Sequence, residues 1–337
     1  MTEADIIEIK ELLSTPQKIV ITTHSFPDGD AMGSSLGLYN FLIQGEHDVT
    51  VVVPTRYPHF LSWMPGDDKV VVYSMNKEKA EQLLNDATVI FCNDFNTSSR
   101  VGEEEEALLA ANAVKILIDH HPNPDLPVKY MMSVTEASST AELIYEFIEK
   151  LGDTDKINVA VAESIYTGIL TDTGSFSYGS TSQRAHQVAG EMINKGADNL
   201  KIQGYIYQDN SLNRVQLLGY SLVEKLALFP EYGAGYISLS KEDLKKYNFQ
   251  PGDTEGLVNY ITNIRGINFA TFIMERNGFV KLSFRSTGNF SANEFARDNF
   301  NGGGHEAAAG GEFNGTLQEA IEKVVSLFPS YKDKLLS

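Results

Sequence analysis

An α/β architecture, a doubly wound, mainly parallel sheet followed by a smaller α+β domain, is predicted by three features of this 337-residue chain. The first half carries short Val/Ile-rich runs that are apolar nearly throughout, as parallel strands covered on both faces are. Helical stretches separate those runs, the pattern of βαβ units. From Gly233 onward the pattern changes, and two apolar runs flank Asn277-Gly278, a strong hairpin signal. The length is too great for one typical domain and comfortable for two.

In order, Ile6, Ile9, Leu12 and Leu13 suit one face of a short helix. Residues 18–24 (KIVITTH) read as a buried strand and 31–43 as a helix. Strands are expected at 48–54, 69–73, 87–94 and 114–121. Residues 103–113 suit a helix with Glu in its first turn, where the dipole favours acid. Helices follow at about 139–151, 157–170 and 184–195; the first carries a stripe of Leu143, Ile144, Phe147, Ile148 and Leu151. The organisation predicted is a first domain over 1–195, a polar helical linker over 196–225 and a second domain over 226–337. That second domain reads as a strand at 233–240, a helix near 255–264 and strands at 268–276 and 279–286. Its last helix has one apolar face, from Leu317 and Ala320 to Val324 and Phe328.

Apolar residues make up 42% of the chain and aromatics 10%, enough to build cores. The one cysteine, Cys92, excludes a disulfide scaffold and a cysteine-based zinc cluster, and reads as a small buried hydrophobe. The N-terminus is acidic and amphipathic, unlike a signal peptide, and no apolar run approaches the ~18 residues of a membrane span. A soluble cytoplasmic protein without membrane partners is expected. The net charge is −18, and residues 226–337 hold 11 basic against 13 acidic residues, so the excess lies in the first 225. That balance disfavours a grip on long or duplex nucleic acid.

Ligands of an open parallel sheet bind outside the carboxyl ends of its strands. After the first strand stand His24, Asp28 and Asp30; after the 87–94 strand, Asp94; after the 114–121 strand, Asp119, His120 and His121; and at the end of the 157–170 helix, Asp172. A single Asp after a strand is ordinarily a cap or turn former. Four such segments that also supply three histidines point instead to divalent cations. Carboxylates and imidazoles without thiolate suit Mn²⁺ or Mg²⁺, with Zn²⁺ or Co²⁺ also compatible. Two such ions clamp the attacking and leaving oxygens of a phosphoryl displacement.

These segments, with Gly302-Gly303-Gly304-His305 and Ala307-Ala308-Ala309-Gly310 near the C-terminus, resemble the motifs of the DHH phosphoesterase superfamily and its associated C-terminal GGGH domain. The branch resembled is the bacterial nanoRNase/pAp phosphatase group, often labelled exopolyphosphatase-related. The resemblance implies two divalent cations, Mn²⁺ foremost. His24 and Asp28 would hold one, Asp30, His120 and Asp172 the other, and Asp94 would bridge them. It assigns His121 to the scissile phosphate or the leaving oxygen, and Asp119 to orienting that histidine. Arg100, six residues after Asp94, matches an arginine that follows the second motif. In the C-terminal motif, Gly303 and Gly304 would expose backbone N–H groups to substrate beside His305. Arg285 and Ser286, at the end of a hairpin strand, would meet a terminal phosphate.

The function expected is hydrolysis of very short oligoribonucleotides and linear dinucleotides to nucleoside monophosphates, and of adenosine 3′,5′-bisphosphate. The rivals are a polyphosphate or pyrophosphate hydrolase, a RecJ-like single-strand exonuclease, and a catalytically dead nucleotide-binding regulator. An exonuclease on long strands needs a basic, aromatic-lined track, which a charge of −18 opposes. A dead scaffold should lack ligands, whereas all six positions are filled. The chain contains no GxxxxGK[ST], GxGxxG or GxSxG motif at the required positions. The oligomeric state is not fixed by the sequence; a homodimer is compatible with it.

Overall fold

Six short apolar runs of the first half become strands: β1 (Lys18–Thr22), β2 (Asp48–Val53), β3 (Val71–Val72), β4 (Val89–Asn93), β5 (Val114–Asp119) and β6 (Tyr130–Ser133). In this computed structural model, which describes residues 1–336, they pair in parallel in the order β3-β2-β1-β4-β5-β6. The order reverses between β1 and β4, which opens a crevice at their carboxyl ends. Helices α1 (Glu3–Leu12), α2 (Gly29–Leu42), α3 (Lys77–Asp86), α4 (Glu105–Ala110), α5 (Thr140–Leu151), α6 (Val159–Asp172), α7 (Gln183–Asn194) and α8 (Asn199–Gln203) complete this first unit, which ends at Asp209.

Two apolar layers sandwich the sheet. One face packs Ile19, Ile21, Val51, Phe91 and Ile116 against α2, α5 and α6; the other packs Val20, Val52, Ile90, Cys92 and Leu117 against α3 and α4. Close helix approach sets the first layer. A Cβ on Gly33 would stand 2.7 Å from the Gly168 nitrogen, and one on Gly29 would stand 2.4 Å from Thr171 Oγ1. The Gly29/Gly33/Gly37 row of α2 therefore lets its backbone lie directly against α6.

Several expected elements change. The 69–73 strand shrinks to β3, because Tyr73–Met75 turns into a 3₁₀ helix. The 103–113 helix is only α4, preceded by 3₁₀ turns over Ser98–Glu104 that kink at Gly102, whose φ is 58°. In this first unit, α3 and β6 were not foreseen. In α3 only Ala80 and Leu84 are buried, too thin an apolar stripe to signal a helix. Strand β6 is built from Tyr-Met-Met-Ser, without β-branched residues.

The chain divides between Asp209 and Asn210, inside the 196–225 stretch. In the second unit, α9 (Leu212–Glu224) precedes β7 (Leu226–Phe229), β8 (Ala234–Leu239), β9 (Phe269–Glu275), β10 (Val280–Ser286), β11 (Gly303–His305) and β12 (Ala308–Phe313). They form a mixed sheet in the order β11-β12-β10-β9-β8-β7. The helix expected near 255–264 covers only α11 (Asn259–Thr262), after α10 (Lys241–Lys246). Phe269, Phe284, Phe295, Phe300 and Phe328 fill the core between this sheet and α12 (Ala292–Phe300) and α13 (Leu317–Leu336). Among the described residues, no helix is long and apolar enough to cross a membrane.

One buried group works against stability. Glu104 is fully buried, accepts a hydrogen bond from Thr22 Oγ1 at 2.6 Å, and has no partner for Oε2. Burial pushes its carboxyl up to about 8. The folded state then holds a proton that the unfolded chain releases above its ordinary value of 4.5, so this group lowers stability as pH rises from that value to about 8. Glu104→Gln is therefore expected to raise the melting temperature at pH 8 relative to wild type and to have little effect near pH 5. Equal shifts at both pH values would show that Glu104 does not titrate in this window.

Candidate metal centre

Each ligand-bearing segment leaves the sheet or a helix at the same end of the first unit. Strand β1 delivers His24, whose Nδ1 lies 2.9 Å from the Ser25 carbonyl oxygen. Asp28 caps α2, its Oδ1 accepting from the N–H groups of Asp30 (3.0 Å) and Ala31 (3.1 Å). Asp30, in the first turn of that helix, is 1% exposed. It is held by the N-terminus of α5: Oδ2 accepts from Thr140 N–H at 2.6 Å and Oδ1 from Ala141 N–H at 2.8 Å. Asp94 follows β4 with φ at 64°, a left-handed conformation that turns its side chain into the crevice. Its Oδ1 accepts from Thr140 Oγ1 at 2.9 Å. Asp172 ends α6, one helical turn after Gly168.

These side chains converge as two sets that meet at Asp94. In the first, ligand atoms of His24, Asp28 and Asp94 lie within 4.8 Å of one another. In the second, those of Asp30, His120 and Asp172 do the same. His24 Nε2 stands 3.5 Å from Asp94 Oδ2. His120 Nε2 stands 3.5 Å from Asp94 Oδ1, 3.5 Å from Asp172 Oδ2 and 3.7 Å from Asp30 Oδ2. Such spacings are long for hydrogen bonds. They are close to the roughly 3–3.5 Å between ligands sharing one cation at 2.0–2.2 Å. The Nδ1 of His120 lies 3.2 Å from the Ala137 carbonyl oxygen, which fixes the ring with Nε2 toward the carboxylates.

The electrostatics also call for a cation. Burial, with the negative Asp94 and Asp172 beside it, pushes the Asp30 carboxyl well above its ordinary value. Burial acts the same way on Asp94, but the His24 contact and the charges of His121, His24 and His120 outweigh it and hold that carboxyl well below the usual range. Burial opposes protonation of His24 and His120, yet their carboxylate neighbours raise both above the ordinary histidine value. Buried carboxylates this close cannot all be ionised without a compensating charge. The donor set fits divalent ions, with His24, Asp28, Asp30, Asp94, His120 and Asp172 as the residues able to hold them.

His121 differs. Its Nδ1 contacts Asp119 Oδ1 at 2.7 Å, and the two rings of His120 and His121 meet edge to face at 5.0 Å. Burial, then the positive charge of Arg100, lowers His121 well below its ordinary value. Burial and the charge of Asp94 push Asp119 up to about 7, and its Oδ2 is buried without a partner. The 2.7 Å contact with Asp119 fixes the orientation of the His121 ring. Asp119→Asn is expected to cut kcat by about 10- to 100-fold with metal content unchanged. Loss of metal from that variant would make Asp119 a ligand instead. Arg100 sits in the 3₁₀ segment Ser98–Glu104, joined to the His24 loop where Ser25 N–H donates to the Arg100 carbonyl at 2.7 Å.

In the second unit, Arg285 pairs across the sheet with Ala308, which pairs with His305. Directly paired residues share a face, so Arg285 and His305 stand in one row, two strands apart. The rest of the expected anion surface needs correction. The Gly303–His305 run is a strand, not a loop, and the N–H of Gly304 donates to Asn293 Oδ1 at 3.0 Å, so it is not open to a ligand. Glycine is required there by packing: a Cβ on Gly304 would lie 2.5 Å from the Ala308 carbonyl oxygen, and one on Gly302 would lie 2.0 Å from that of Gly310. Gly303 is opposite Gly310 in the same ladder. The Ser286 hydroxyl is buried and donates to the Phe290 carbonyl at 2.6 Å, so it shapes the turn after β10 and has no proton to offer a phosphate.

Sequence reasoning missed the support behind the ligands. Thr140 bonds both Asp30 and Asp94, and Gly168 fits against Asp30, yet neither was singled out. The signals present were the Ser139-Thr-Ala-Glu142 capping pattern and the four-residue glycine spacing of α2.

Comparisons with known proteins place the chain in a family. The DHH family N-terminal domain matches residues 18–169, and the DHHA1 domain matches 234–331. The bifunctional oligoribonuclease and PAP phosphatase NrnA of Bacillus subtilis is 31% identical over 90% of this chain and 91% of its own. The protein of that name from Thermus thermophilus is also 31% identical, over 91% of this chain and 88% of its own. The crystal structure of an exopolyphosphatase-related protein from Bacteroides fragilis superposes with a TM-score of 0.94 at 39% identity, over 100% of this chain and 98% of that one. With both family domains matched in order and relatives 31% identical over about nine-tenths of its length, the chain belongs to the DHH family.

Proposed function

We propose that this chain is a dimetal-dependent phosphoesterase. Its substrates are very short oligoribonucleotides, linear dinucleotides among them, cleaved to nucleoside monophosphates, together with adenosine 3′,5′-bisphosphate. The observation that carries the reading is Asp94, set between the His24/Asp28 and Asp30/His120/Asp172 groups. The NrnA relatives, whose names give oligoribonuclease and PAP phosphatase activity, support the substrate class. Two divalent ions, Mn²⁺ foremost, would lower the pKa of an attacking water and offset the charge of the phosphate.

The chain's own residues supply position and proton control. His24 and Asp28 would hold one ion and Asp30, His120 and Asp172 the other, with Asp94 placed between them to serve both. The α5 N-terminus keeps Asp30 in place through Thr140 and Ala141. His121, fixed by Asp119, contacts the scissile phosphate or gives a proton to the leaving oxygen. Arg100 adds positive charge beside it. Arg285 and His305, in one row of the second unit, bind substrate. Long strands are disfavoured because a net charge of −18 repels additional phosphates beyond the ion pair's screened reach, ~8 Å at physiological salt.

The word exopolyphosphatase in the name of the 39% identical structure gives polyphosphate a place in the test. Hydrolysis is measured with Mn²⁺ on di-, penta-, deca- and eicosaribonucleotides, adenosine 3′,5′-bisphosphate and polyphosphate. kcat/KM is expected to be highest for the dinucleotide or the bisphosphate and to fall at least about tenfold by ten nucleotides. A 20-mer cleaved as efficiently as a dimer would overturn the substrate assignment in favour of a long-strand exonuclease. Preference for polyphosphate would overturn it in favour of a substrate without bases.

A further inference from the structure

The side chain of Phe26 lies in the His24-Ser25-Phe26-Pro27-Asp28 loop, two residues from a ligand on either side, and keeps 55% of its surface exposed. Its backbone is left-handed, with φ at 56°. For a bulky side chain that conformation is an outlier that glycine would relieve. Among the described residues, seven non-glycine residues have positive φ. Three are Asn, which tolerates it. The other four are Asp94, Ser175 and Phe176 just after Asp172, and Phe26, so all lie in the segments that carry ligands.

Phe176 has a packing reason for its place: its ring stacks on His186 at 4.9 Å between centroids and meets Tyr166 at 6.4 Å. Phe26 is tied through its backbone. Its N–H donates to Thr55 Oγ1 at 2.6 Å, which ties the loop to the segment following β2. The bond holds the backbone of this largely exposed residue in a strained conformation, midway in sequence between His24 and Asp28. Strain retained at a functional loop, with a large apolar face toward solvent, has the form of a built contact surface.

We infer that Phe26 is the platform on which a nucleobase of the substrate stacks. The inference rests on the nucleotide-substrate reading above and deepens it. A phosphate at the ligand cluster leaves its base one ribose away, within the neighbourhood of a ring no more than about 7 Å of chain from His24 and Asp28. Aromatic stacking tolerates every base, because each has a π-face. The substrate selected is therefore a nucleotide of any base, in preference to a phosphate ester lacking one.

The test compares diadenylate with the same dinucleotide made abasic at one position or the other, on wild type, Phe26→Gly and Phe26→Tyr. The ratio of kcat/KM for base-bearing over abasic substrate is expected to fall about tenfold or more in Phe26→Gly for one of the two positions, and to be kept in Phe26→Tyr. The melting temperature of Phe26→Gly is expected to equal or exceed that of wild type, since glycine accepts this φ. An unchanged ratio overturns the stacking role while leaving the nucleotide reading intact. A lower melting temperature in Phe26→Gly with both substrates falling together also overturns it, and makes the residue structural. Wild type that cleaves neither substrate overturns the nucleotide reading and the stacking inference with it.

Discussion

Asp94→Asn is expected to lower turnover by about 10³-fold or more while the protein stays folded. Asp94 stands between the two ligand sets, with Oδ2 3.5 Å from His24 Nε2 and Oδ1 3.5 Å from His120 Nε2. An amide keeps the shape but gives up the charge and one acceptor, so both sites weaken together. Backbone strain does not confound the substitution, because Asn is among the few residues at ease with a left-handed φ of 64°. Thr140 Oγ1 can still donate to the amide oxygen. Without metal, the substitution relieves a negative charge that Asp30 and Asp119 feel, but it also gives up the attraction of Asp94 for His24 and His120, which holds its carboxyl well below the usual range. In chelator, then, the variant should stay folded and melt modestly below wild type, and added Mn²⁺ should stabilise it far less than it stabilises wild type. Wild-type turnover at saturating Mn²⁺ would remove Asp94 from the centre of the mechanism. A collapse of the melting temperature in chelator would instead make its role structural.

How legible the site was depends on which physical rule placed each residue. Strand-end residues could be read, because a parallel sheet sends the ends of β1, β4 and β5 to one crevice, and His24, Asp94 and His120 sit there by topology alone. The contacts behind them could not. Thr140 reaches Asp30 from 110 residues away, and no periodicity records a pairing of that range. The GGGH run was misjudged for a related reason. Glycines that admit a ligand and glycines that admit a neighbouring strand look alike in sequence, and here the Gly304–Ala308 and Gly302–Gly310 approaches fix the choice. Short elements were lost where the apolar signal was thin, as in α3 and β6, and overextended where Val70 and Tyr73 continued an apolar run beyond two paired residues.

Gly168→Ala is expected to cut kcat by about 100-fold, although the residue carries no functional group. It lies in the middle of α6, where Ala would ordinarily favour the helix by about 1 kcal/mol. Here the new methyl would stand 2.4 Å from Ala141 Cβ and 2.8 Å from Asp30 Oδ1. Carbon atoms pack at about 3.5–4.0 Å, so α6 must retreat by about 1 Å or more. Asp172 rides one turn further along the same face of that helix and retreats with it, away from His120 Nε2. Ala141 is also the residue whose N–H holds Asp30 Oδ1, so the push displaces two ligands of one set from opposite sides. Overpacking of this kind costs about 1–3 kcal/mol, more than the helix gains. A second substitution separates stability from catalysis. Ala141→Gly in the same chain removes the 2.4 Å contact but leaves the one with Asp30. The double variant should recover much of the melting temperature and little of the turnover. Gly190→Ala is the control, since a Cβ there meets nothing within 4 Å; it should keep full activity at equal or higher stability. Wild-type kcat in Gly168→Ala would mean that the ligand set tolerates a shift of about 1 Å in α6, and that close packing of α2, α5 and α6 serves the core alone.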